Sequence, residues 1–120
     1  MDESMLSRWV DGYRRAWESN NPEDIGGLFT DDAVYYTEPF RDGIKGRDAI
    51  VADWLNRKDE PGDTEWRSEI MAVCDDLGFV RGWAKYFTEP PREYSNLWVV
   101  RLEGDGRCRE FTEWWMKHPD

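Results

Sequence analysis

Residues 96–115, NLWVVRLEGDGRCREFTEWW, hold two stretches rich in β-branched and aromatic residues on either side of Glu103-Gly104-Asp105-Gly106. A four-residue cluster of turn formers between two such stretches predicts a β-hairpin, with strands over residues 93–102 and 107–117. The same pattern extends towards the N-terminus. Asp75-Asp76-Leu77-Gly78 and Glu89-Pro90-Pro91-Arg92 are turn clusters that mark off two earlier strands, 65–74 and 79–88. Before residue 58 the period changes. Leu6, Trp9, Val10, Tyr13, Ala16 and Trp17 recur at three- and four-residue steps, the stripe of an amphipathic helix that stops near Asn20. Asn21-Pro22-Glu23-Asp24 supplies a cap, a proline at the first helical position and early acids, which start a short second helix carrying Ile25, Leu28 and Phe29. Thr30-Asp31-Asp32 reads as a turn, residues 33–38 as a strand ended by Pro39, residues 40–46 as a loop, and residues 47–57 as a third helix with Ile50, Val51, Trp54 and Leu55 on its stripe. KDEPGD, residues 58–63, is a turn too short to separate domains. Helices first and strands after predict one α+β domain over residues 1–120, its sheet curled over three helices.

Composition narrows the function. The chain carries 26 acidic against 16 basic residues, a net charge of −10, which repels phosphate backbones and anionic membranes at long range. Neither nucleic acid nor membrane is therefore an expected partner. Eight tryptophans in 120 residues furnish a thick core, an apolar pocket, or both. Cys74 and Cys108 lack metal-ligand spacing and read as free, buried thiols. Residues 1–15, MDESMLSRWVDGYRR, match neither a signal peptide nor a membrane span, so a cytoplasmic location is expected. His118 is a lone histidine, no cluster of ligands predicts a metal, and Gly104-Asp105-Gly106 is a hairpin turn, not a phosphate cradle. No cofactor is expected.

Strand alternation sorts the candidate site residues. Val34, Tyr36 and Glu38 share one face of their strand, and Arg109, Phe111, Glu113 and Trp115 share one face of theirs unless a bulge intervenes. A carboxylate among aromatics loses hydration, which raises its pKa and improves it as an acid or base near neutrality.

The order of elements, with YRRAWESNNPEDIGGLFTDDAVYYTEPF, GIKGRDAIVADW and the hairpin quoted above, resembles the SnoaL-like branch of the nuclear transport factor 2-like superfamily along essentially the whole chain. The resemblance implies three helices packed in the concave face of a highly curved antiparallel sheet, a conical cavity between them for a small hydrophobic molecule, and a homodimer formed through the sheet. The Glu38-Pro39 pair is similar to the Asp-Pro pair of ketosteroid isomerases, which implies a general base at Glu38. WVDGYRRAW resembles the isomerase helix whose tyrosine hydroxyl stabilises an oxyanion, a role that falls on Tyr13. Trp98 stands where isomerases carry a second, acidic donor, so the isomerase pattern is incomplete. GRCREFTEWW resembles the strand of polyketide cyclases that carries a catalytic acid, with Glu113 at the acid's place and Phe111 at that of a histidine. Glu38 and Glu113 would then divide a proton transfer in a cofactor-free isomerisation, cyclisation or dehydration of a small carbonyl compound, in a pocket lined by Trp17, Tyr36, Trp54, Trp98 and Phe111. Two other functions fit the sequence: a pocket that binds such a ligand without turnover, and an assembly module whose convex sheet, with Trp83 and Trp114, forms the homodimer.

Overall fold

The computed structural model describes residues 1–58 and 64–119. The turn expected over residues 58–63 thus lies, from residue 59 onward, outside the described residues. Helix α1 (Glu3–Ser19) starts where the Asp2 carboxylate accepts a hydrogen bond from the Met5 amide at 2.8 Å, and ends at Asn20, in the left-handed region at φ 50°. Asn21 caps α2 (Pro22–Gly26) by accepting from the Glu23 amide at 2.8 Å. Strand β1 (Phe29–Tyr36) leads through the two-residue β2 (Ile44–Lys45) into α3 (Arg47–Asn56). Gly46 stands at the start of α3 with φ +93°, a conformation that L side chains rarely adopt. Four strands follow: β3 (Thr64–Cys74), β4 (Leu77–Tyr86), β5 (Arg92–Leu102) and β6 (Cys108–Lys117).

The strands form one curved, unclosed sheet in the order β2-β1-β6-β5-β4-β3. Four of its five pairings are antiparallel, and β3 to β6 are joined by the expected successive hairpins. The pairing of β1 with β6 is parallel, so the sheet is mixed and not wholly antiparallel. Its direction is free because no hairpin joins the two: a helix and four strands separate them in the chain. Thr30-Asp31-Asp32 is not a turn but an irregular part of β1, where the register slips between Phe29 and Val34 and both aspartates face solvent.

The core fills the closed end of the cone. Leu6 from α1, Ile25, Phe29, Ile50, Val100 and Phe111 have no solvent exposure. Trp9 lies among Phe29, Trp98 and Phe111, with ring centroids 6.3, 6.1 and 5.3 Å away, and its indole nitrogen donates to the Leu28 carbonyl at 3.0 Å. Helix α1 comes so close to β4 at Gly78 that a β-carbon there would stand 2.5 Å from Leu6 Cδ2. Cys108 is buried, and burial pushes its thiol pKa up to about 12. Cys74, expected to be buried, is exposed. A register slip between Ile70 and Ala72 reverses the alternation of β3, so that Val73 takes the inner position instead.

Candidate active site

Towards the open end, the inner face of the sheet changes character within each strand. Along β5 the inward positions run from Leu102, Val100 and Trp98, all buried, to Asn96, Tyr94 and Arg92. On β6 they run from Phe111 through Glu113 to Trp115. Between this part of the sheet and helices α1 and α3 lies a cavity of about 230 Å³. Helix α1 supplies Tyr13 and Trp17 to its wall, α3 supplies Trp54, and Arg57 caps α3 at the rim. Trp66 stacks on Trp98 at 5.2 Å beneath it, in space left by Gly82, where a β-carbon would stand 3.2 Å from the Trp66 indole nitrogen.

Glu113 is the buried acid of this cavity, with 8% of its surface exposed. One carboxylate oxygen accepts a short hydrogen bond from the Tyr35 hydroxyl. The other accepts from the Trp98 indole nitrogen at 2.9 Å and more loosely from the Tyr13 hydroxyl at 3.5 Å. Loss of hydration dominates and raises the Glu113 pKa above the ordinary carboxylate range, against the lowering effects of the Tyr35 and Trp98 hydrogen bonds and the field of Arg57. Burial, then the neighbouring Glu113 charge, pushes the Tyr35 phenol well above its usual value. Three side chains from three elements converge on one carboxyl group.

Of the residues expected at a site, the structure gathers Tyr13, Trp17, Trp54, Trp98 and Glu113 around the cavity. Glu38 is not among them: it follows β1, and its half-buried carboxylate pairs with the exposed Arg41 away from the cavity. Tyr36 does not line the cavity either. Ala33 and Tyr35 are the inward residues of β1, so the expected parity of that strand was reversed. Phe111 points inward as expected but lies below the cavity, in the core against Trp9, Tyr13 and Trp98. Tyr35 and Arg57 are among the lining residues the sequence reading missed, with Trp66, Arg92 and Asn96. For Tyr35 no signal existed, since Tyr35-Tyr36 offers the same side chain to either face. Arg57 stands directly after the last helical turn, and its distance of three from Trp54 was the available clue.

Among the described residues, no group of His, Cys, Asp and Glu could hold a metal ion, and no helix is long and apolar enough to cross a membrane. The model of the SnoaL-like domain matches residues 10–111. No curated protein matches the chain. Among solved structures, an NTF-2 like protein of unknown function from Burkholderia xenovorans superposes with a TM-score of 0.76 at 14% identity, covering 98% of this chain and 88% of that one. The epoxide hydrolase/cyclase-like enzyme SalBIII, named for pyran ring formation in the polyether salinomycin, gives 0.76 at 17% identity over 96% of this chain and 93% of its own. A ketosteroid isomerase-like protein from Erwinia carotovora atroseptica gives 0.69 at 18% identity over 99% and 100%. The likeness to these structures is one of fold, and the domain match across residues 10–111 places the chain in the SnoaL-like domain family.

Proposed function

We propose that the chain is a cofactor-independent acid–base enzyme that isomerises, cyclises or dehydrates a small, mainly apolar carbonyl compound, with Glu113 as the proton carrier. The observation that supports this is the placement of Glu113: a desolvated carboxyl group at the inner wall of an aromatic cavity, fixed through both oxygens by side chains from three elements. Such fixation holds the group in one orientation before substrate arrives, and desolvation brings its pKa towards neutrality. Glu113 takes a proton from the carbon next to the carbonyl and returns it to another atom of the same substrate. Tyr13, the most loosely bound of the three donors, turns its hydroxyl towards the enolate oxygen. Glu38 has no part, because it is paired with Arg41 away from the cavity. Solved structures of the same fold are named for isomerase-like, epoxide hydrolase and epoxide hydrolase/cyclase-like proteins, which fits acid–base chemistry in such a pocket.

The engagement of both Glu113 oxygens favours a second reading, in which the acid only orients a ligand that is not turned over. One substitution separates the two. In Glu113→Gln the amide oxygen accepts from Trp98 and Tyr13 while its NH₂ donates to the reversed Tyr35 hydroxyl, so the shape survives and the titration does not. Deuterium exchange into the α-carbon of cyclohexanone, followed by NMR, should fall by about a hundredfold or more in E113Q, while quenching of tryptophan fluorescence by the ketone persists. Equal exchange in both proteins would overturn the acid–base reading. Altered quenching with no catalysed exchange in either would establish the binding-only one.

A further inference from the structure

Resting on that acid–base reading, we propose that the substrate is a carboxylate, its anionic end held by Arg92 at the mouth of the cavity while its carbonyl end reaches Glu113. Charge is the first observation. In a chain with 26 acidic and 16 basic residues, the described residues of the cavity lining reverse the balance, with Arg57, Lys58 and Arg92 against Glu113. A neutral apolar substrate has no need of this reversal, and an anion repelled by the rest of the surface does. The three cations are not equivalent. Arg57 is committed to Asp53, whose carboxylate accepts from its Nε at 3.0 Å. Arg92 forms no ion pair with a described carboxylate. It lies over the Tyr86 ring at 4.7 Å and donates to the Tyr94 hydroxyl at 3.3 Å. Those two rings hold the guanidinium in place and leave most of its five donors for a ligand, in the planar fork that matches a carboxylate.

Register is the second observation. Arg92 and Trp98 are both inward positions of β5, and Trp98 is paired with Glu113 across the strands. Six steps along the strand separate the two ends of the site, about 20 Å between α-carbons. The arginine and glutamate side chains reach inward from these ends, and an elongated ligand spans what remains. Asn96 stands between them on the same face. Its Oδ1 is closed off from solvent without a hydrogen-bond donor among the described residues, a polar atom suited to accept from a bound ligand.

The test compares two ligands of one shape, an (oxocyclohexyl)propanoate and the matching propanamide, by tryptophan fluorescence titration at low salt. The carboxylate should bind the wild type at least about tenfold more tightly than the amide, R92K should keep part of the preference, and R92Q should abolish it. Arg92 is exposed at the first position of its strand, so these variants keep the fold. Equal affinities in the wild type, a preference that survives R92Q, or no binding of either ligand at tens of millimolar would overturn the proposal. The two readings fail separately. A carboxylate preference lost in R92Q, with α-carbon exchange unchanged in E113Q, keeps the anion site and removes the acid–base role. Exchange lost in E113Q with equal affinities for acid and amide does the reverse.

Discussion

A carboxyl group that loses its water and gains three hydrogen bonds, but no ion pair with a described cation, is held in tension between two protonation states, and Glu113 is such a group. Its folded pKa is raised, so between the ordinary carboxylate range and the raised value the unfolded chain binds fewer protons than the folded one. Stability should therefore fall as pH rises through that window, with the loss complete above the folded pKa. Thermal unfolding from about pH 5 to 8 should show this slope in the wild type and a shallower one in E113Q, E113Q gaining relative stability at the alkaline end. Identical slopes would show that Glu113 keeps an ordinary pKa. At this scale the sequence was informative wherever a position's face followed from a regular period. Tyr13 and Trp17 fell on the stripe of α1, and alternation along β6 put Phe111 and Glu113 on the inner face because the register slip of that strand lies before Glu110. It was uninformative where two identical residues are adjacent. Choosing Tyr36 over Tyr35 put Glu38, two residues on, on the expected inner face along with it.

Elements were legible in proportion to the strength of their boundaries. The hairpins β3 to β6 are each marked by a turn cluster, and α2 by its asparagine cap and proline, so their existence could be read directly. Strand β2 is two residues long and has no periodicity to read. The partner of β1 was hidden for another reason: pairing with a strand more than 70 residues away leaves no local mark. Packing of α1 on β4 has the opposite character, since it rests on one small residue. Gly78→Ala would drive a methyl group against buried Leu6 and push the helix off the sheet, at a cost of about 1–3 kcal/mol. A denaturant midpoint equal to that of the wild type would show that Leu6 swings aside without loss.

For the whole molecule, an unclosed sheet means an edge that must be kept from pairing with other chains. At β3, among the described residues, no strand covers the far side. Glu65, Arg67 and Glu69 alternate along its exposed face, Arg67 over the Trp83 ring at 4.5 Å and Glu69 bonded to Arg81 at 2.9 Å. Charges in this position disfavour edge-to-edge addition. Replacing all three with Thr should produce concentration-dependent association in light scattering at neutral pH, with little change in the fluorescence of the buried tryptophans. A scattering profile unchanged from the wild type would show that the edge is protected by other means. The position of β6, paired on both sides and carrying Glu113, has a consequence for how the molecule is made. A ribosome delivers β1 to β5 first, and until the segment 108–117 follows, β1 has no neighbour on that side and the future cavity has no acid. Insertion of that one segment joins the two parts of the sheet and installs the carboxyl group in the same event, so a nascent chain passes from inert to complete without a half-built site in between.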